Sequence, residues 1–280
     1  MRLKWVILFL VIGIVVGWWV GKGEFRFSSR SDEHPKESIP LPQISVLKVA
    51  IVLDDWGYNL NNLPILREIH IPMTIAILPH LRFSAQIAES LQGKEYEIIL
   101  HMPMEAHNGK IRAEARTLYT SMSDDEIRKT LEEAIQSVPY INGISNHMGS
   151  KATEDPRVMR IVMEELQREK LYFLDSLVTP QSVAEKVSKE IGLAFAERNV
   201  FLDNLLEPEY IKGQILKMVE QAKKNGHAIG IGHDRSVTLK VIQELVPELQ
   251  KQGIQFVQVS ELTSRSPVDQ KTKSLVKEVE

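Results

Sequence analysis

The sequence predicts an α/β protein, an irregular (β/α) barrel of seven or eight strands. Three observations predict it: short apolar, β-branched runs alternate with longer amphipathic stretches, helix ends are chemically marked, and the unusual polar residues fall almost one per strand at strand C-termini. Strands are expected at 49–53, 73–78, 97–100, 143–146, 171–174, 193–196, 228–231 and 255–259. Between them, helices are expected at 61–69, 84–91, 123–137, 156–170, 180–191, 208–225 and 236–252. Ser123 with Glu126 forms a capping box, and Pro156, Pro180 and Pro208 sit where a first helical turn tolerates proline. Gly192, Gly226 and Gly253 sit where those helices should stop. Repeated strand–helix units imply parallel strands with right-handed crossovers, and seven or eight of them point to a barrel rather than an open sheet.

The barrel is assigned to residues 46–263, within a chain of 280. Ahead of it, Arg2 and Lys4 precede an apolar run from Trp5 to Val20, so residues 1–21 read as a signal peptide or signal anchor. Trp18 and Trp19 suit a membrane interface. Residues 22–45 are a polar linker, and 264–280 a charged tail. This places the barrel outside the cytoplasm, anchored to the cell membrane or secreted. A net charge of −3 shows no basic excess of the kind that nucleic acid requires. With no cysteine in the chain, any metal must be held by histidine and carboxylate.

In a parallel barrel, functional side chains gather at the C-terminal rim. There the sequence places Asp54-Asp55-Trp56, His101, Asn146-His147, Asp175, Arg198, Asp203 and His233-Asp234. Adjacent carboxylates repel unless a cation is near. Two histidines and an aspartate with one open position can hold a catalytic metal, a second aspartate can serve as general base, and a further histidine can protonate a leaving amine. Each residue also has a plainer reading. The two aspartates can cap a helix, His101 and His147 can be satisfied structural histidines, and Asp175 and Asp203 can cap helices or pair with Arg198. Trp56 is either a wall for a sugar ring or core. His107 reads as an exposed loop residue.

Val52-Leu53-Asp54-Asp55-Trp56-Gly57 resembles the opening motif of the polysaccharide deacetylases, and Ile229-Gly230-Ile231-Gly232-His233 their late motif. His101-Met102-Pro103-Met104-Glu105, Asn146-His147-Met148-Gly149-Ser150 and Phe173-Leu174-Asp175-Ser176 resemble the divergent branch of that superfamily. The resemblance spans roughly Lys48 to Leu262. It implies the irregular barrel of the glycoside hydrolase/deacetylase type and metal-dependent removal of acyl groups, N-acetyl above all, from a cell-envelope carbohydrate. It implies Asp54 as general base, Asp55, His101 and His147 as metal ligands, and His233 as general acid oriented by Asp175 or Asp203. Trp56, His80, Arg198 and Asp203 are the candidates for substrate contact. Zinc is the expected metal from ligand type. Against the better-known deacetylases, the two metal histidines are not on one short segment and no Arg-x-Pro-Tyr motif is present. The rival readings are an inactive carbohydrate-binding or envelope-scaffold protein on the same fold, and a hydrolase of glycosidic or peptide bonds.

Overall fold

The computed structural model describes residues 47–93, 95–107, 114 and 116–264. These fall in one compact unit, Ile44–Glu280. The predicted signal segment and linker, and the tail beyond Ser264, lie outside the described residues. Among the described residues, no helix is long and apolar enough to cross a membrane.

The first strand organises the sheet. β1 (Leu47–Trp56) pairs along one edge with β8 (His227–His233), from Lys48 opposite His227 up to Asp54 opposite His233. Its other edge is divided. The lower half, Leu47 to Ala50, pairs with β9 (Ile254–Val257), and the upper half pairs with β2 (Met73–Ile77). From β2 the sheet continues through β3 (Tyr96–Met104), β4 (Ile141–Met148), β5 (Tyr172–Asp175) and β6 (Phe195–Glu197), while β7 (Val200–Phe201) flanks β8. Every pairing between these strands is parallel. The helices are α1 (Leu63–Arg67), α2 (Ser84–Leu91), α3 (Asp124–Ser137), α4 (Pro156–Glu169), α5 (Ala184–Ile191), α6 (Pro208–Asn225) and α7 (Ser236–Lys251).

The curled α/β architecture agrees with the sequence, with two differences. β7 is one strand more than predicted, because two residues are too few to carry an alternating pattern. β6 and β7 follow one another in the chain yet occupy opposite ends of the strand order, so an open seam lies between them. Beside it, Ser264 exchanges backbone hydrogen bonds of 2.9 and 3.0 Å with Phe195. The second difference is α5, which starts at Ala184 rather than Pro180. The Ser182 hydroxyl accepts from Ala184 N–H while donating to Asp175, so residues 179–183 form a turn first. The predicted capping box closes, with Ser123 Oγ accepting from Glu126 N–H and the Glu126 carboxylate accepting from Ser123 N–H at 2.7 Å.

Strand alternation divides the side chains into two layers. Val49, Ile51 and Leu53 face the helices with Ile98, Leu100, Ile144 and Phe173 in the larger core. Ala50, Val52, Ala76, Ile99, Leu174, Ala196, Ile229 and Ile231 fill the barrel interior. At the floor this inner layer turns polar. Buried Glu97 accepts from Thr74 Oγ1 at 2.8 Å, Tyr172 OH at 2.9 Å and Ser260 N–H at 3.3 Å. Thr74 Oγ1 also accepts from Val259 N–H at 3.0 Å. One carboxylate thus ties β2, β3 and β5 to the 3-10 turn that follows β9. Burial and the Glu97 charge hold the Tyr172 hydroxyl well above its usual pKa, so it remains a donor.

Deleting that donor should destabilise the barrel without touching its rim. Tyr172→Phe is expected to cost about 1.5–3 kcal/mol in chemical denaturation, the usual worth of a hydrogen bond to a charged group, with Thr74 and Ser260 still donating to Glu97. Metal stoichiometry of the folded protein should be unchanged; a variant as stable as wild type would show that the floor network contributes nothing.

Candidate metal centre

Alternation along β1 points Asp54 inward, with Ala50 and Val52, and would send Asp55 outward. Asp55 instead adopts a left-handed backbone, φ +66°, and the pairing register with β2 shifts between Leu53 and Trp56. This bulge returns Asp55 to the inner side and turns Trp56 out into the helix-facing core. Aspartate tolerates this conformation better than most residues. Both carboxylates consequently stand 3.4 Å from His101 Nε2.

His101, inward on β3, and His147, inward on β4, complete the cluster. Asp55 Oδ1 lies 3.0 Å from His147 Nδ1, and His147 Nδ1 lies 3.2 Å from His101 Nε2. Ligand atoms around a zinc ion at roughly 2.0–2.1 Å sit about 3.0–3.4 Å apart in octahedral or tetrahedral arrangements, so this triangle fits one face of such a shell. These three residues are a group able to hold a cation. Two further observations fit. Asp54 Oδ1 and Asp55 Oδ1 are buried without a hydrogen-bond partner. The other nitrogen of His101, Nδ1, is 2.7 Å from Ser145 Oγ; with Nδ1–H donating there, Nε2 presents its lone pair to the cluster.

The electrostatics follow from burial and neighbours. Burial pushes the His101 imidazole down to about 4, with the His147 charge adding, so it is neutral near pH 7 as a ligand must be. Burial pushes Asp55 up, but the two histidines more than reverse this and hold it well below the usual carboxylate range. Burial raises Asp54 well above that range, Asp55 and Asp203 reinforcing and His233 opposing. Two carboxylates so close, Asp54 buried and Asp55 half-buried, call for a cation. His233, at the end of β8, is pushed down by burial but raised overall by its bond and charge contact with Asp203, with Asp54 and Asp55 adding. Asp203 Oδ1 is 2.7 Å from His233 Nδ1, and its Oδ2 accepts from His233 N–H at 2.9 Å and Thr238 Oγ1 at 2.7 Å.

The structure therefore brings together Asp54, Asp55, His101, His147, His233 and Asp203. Trp56 is fully buried against the helices and is no wall for a sugar. Asp175 does not orient His233, which is held by Asp203. Alternation on β5 sends it outward beside Phe173, where it accepts from Ser182 Oγ at 2.6 Å and Leu177 N–H at 2.8 Å. Arg198 donates to the carbonyls of Ser176 and Leu177 at 2.7 and 2.8 Å. His80, exposed after β2, donates its backbone N–H to Ser137 Oγ, 3.2 Å away. His107 is exposed and meets Glu154 at 2.8 Å, away from the cluster. Sequence reasoning missed Ser145, although it stands two residues before His147 on the same strand face, and Phe201, which no motif marks.

Comparison with known proteins agrees with this geometry. A family model described as divergent polysaccharide deacetylase matches residues 51–263. The Escherichia coli (strain K12) protein YibQ is 35% identical over 225 residues, covering 80% of this chain and 70% of that one. The crystal structure of ATU2773 from Agrobacterium tumefaciens C58 superposes with a TM-score of 0.75 at 21% identity, covering 80% of this chain and 92% of the other. The catalytic domain of peptidoglycan N-acetylglucosamine deacetylase from Eubacterium rectale gives a TM-score of 0.50 at 12% identity, covering 79% and 91%. At those identities the two structures share the fold.

Elemental analysis of the purified chain should find about one equivalent of a divalent ion, lost in His101→Ala and in His147→Ala. Ser145→Ala should weaken metal affinity about 10–100-fold. Unchanged occupancy in both histidine variants would remove the site.

Proposed function

The chain belongs to the divergent polysaccharide deacetylases, and from that premise we propose that it is an exported, metal-dependent hydrolase that removes N-acetyl groups from a cell-envelope carbohydrate. The observation that carries this reading is the placing of two proton carriers beside three ligand side chains. Asp54 and His233 are register partners across β1 and β8, and Asp54 shares His101 with Asp55. The Eubacterium rectale deacetylase of the same fold supports an N-acetylated glycan as substrate, by analogy of fold. The apolar N-terminal segment supports the location, as an anchor or a cleaved signal.

A divalent ion, for which zinc is our reading, would be held by Asp55, His101 and His147 and would supply Lewis acidity. Asp54, which the positive charge of a bound cation would keep ionised despite its burial, takes a proton from the attacking water, whose oxygen bonds to the acetyl carbon. The carbon–nitrogen bond then breaks, and His233 gives the departing nitrogen its proton. Acetate and a free amino sugar leave. Asp203 fixes His233 Nδ1, which aims Nε2 at the substrate and favours the imidazolium that donates. An inactive pocket is the rival, and the completeness of base, ligand set and acid supports the enzyme.

Incubation with N-acetylglucosamine oligomers and with peptidoglycan fragments should release acetate. Asp54→Asn and His233→Ala should each lower kcat about 10²–10⁴-fold while retaining the metal. Because His233 acts protonated and its pKa is raised, the rate should fall as pH rises through that value, and Asp203→Asn should move this alkaline limb to lower pH. A metal-loaded protein that deacetylates neither substrate class would refute the reading.

A further inference from the structure

His233 is gripped at a second place besides Nδ1. The Phe201 ring lies nearly parallel to the His233 ring, 16° between planes, with centroids 6.4 Å apart. The Arg198 guanidinium carbon sits 3.6 Å from the Phe201 centroid. Arg198 has little freedom, being bonded through Nε to Ser176 O and through Nη2 to Leu177 O, with its own N–H on Asp175 O at 3.0 Å. The Leu177 turn is left-handed, φ +46°, and Asp175 Oδ1 holds its N–H. Asp175 in turn is bound by Ser182 Oγ. A continuous series of contacts thus runs from Asp175 through the Leu177 turn, Arg198 and Phe201 to the face of His233.

We propose that Arg198 and Phe201 are positioning residues for His233: Asp203 fixes the tautomer, and the Arg198–Phe201 pair, braced by the Asp175 turn, fixes the ring plane so that Nε2 stays directed over the metal cluster. A hydrogen bond at Nδ1 alone leaves the ring free to swing about that bond; a flat surface against the ring removes the swing. This rests on His233 acting as the general acid. The charged groups around the ring are Asp203 at Nδ1, Asp54 and Asp55 from β1, Asp234 and Arg235 next in the chain, and Arg198 beyond Phe201. The clamp places no residue in contact with substrate. It gives Asp175, outside the site, a bearing on the acid.

The test separates the clamp from the reaction. Ring NMR signals of His233 in the full-length, metal-free chain, assigned with His233→Gln, give its pKa whatever the substrate. Phe201→Leu should lower that value, because a ring free to swing loses part of its hold on Asp203, the contact that raises it, and Phe201→Tyr should restore it. On N-acetylglucosamine oligomers, Phe201→Leu should lower kcat about tenfold with KM within about twofold; its alkaline limb should move with the NMR value. Arg198→Met, which keeps the stem and loses the carbonyl bonds, should act in the same direction and carries the test if Phe201→Leu fails to fold. Wild-type His233 titration in Phe201→Leu and Arg198→Met would overturn the clamp even where deacetylation is found. A shifted titration in a protein that deacetylates nothing would uphold the clamp and sink the proposed reaction.

Discussion

The left-handed backbone at Asp55 is the constraint on which the site depends. A regular strand shows one of two neighbouring residues to each face, so Asp54 and Asp55 would serve different layers. One residue in the left-handed region costs of order 1–2 kcal/mol. Here it delivers two carboxylates to the same imidazole and puts the Trp56 indole into the outer core, where its burial helps to hold the bulge in place. The bulge also separates the duties of the pair. Asp55 is drawn down by two histidines, while Asp54 is raised chiefly by its own burial. The same imbalance that strains the apo cluster makes it a receptor for a cation.

The two ends of the barrel use buried polar groups in opposite ways. At the floor, three donors converge on one Glu97 oxygen, Oε2, and lock elements together, although the other, Oε1, has no partner. At the rim, acceptors face one another with too few protons between them, and two carboxylate oxygens stay without partners. The first arrangement lowers the energy of the fold; the second holds back satisfaction until a ligand arrives. Around the rim, supporting bonds nevertheless hold three of the residues: Ser145 on His101, Asp203 on His233, and Thr238 on Asp203.

Most of this was legible in the chain, for identifiable reasons. The strand–helix rhythm and chemically marked ends such as Ser123 with Glu126 gave the architecture, because both are local signals. The metal cluster was legible because each member ends a predicted strand, and parallel strands place those ends on one rim. The failures came where that rule was applied without alternation. Asp175 ends β5 but shares the outward face of Phe173, and Trp56 is turned outward by a bulge that no local pattern announces. Arg198 looked like a substrate contact because arginine at a rim is expected to meet a ligand, yet neighbouring carbonyls use its donors. β7 was invisible because two residues cannot show a period. His80 illustrates a further limit: its position after β2 was readable, whereas the backbone bond that its N–H makes to Ser137 in α3 joins residues 57 apart and leaves no local pattern.

The divided edge of β1 sets an order of events. The first strand of the domain finds β2 soon after synthesis, but β8 and β9, which flank the rest of it, come from the far end of the chain. The Glu97 knot is likewise completed by the backbone of Val259 and Ser260. Nearly all of the domain must therefore be made before both edges of β1 can be filled, so a partly synthesised chain has no complete sheet to fold into.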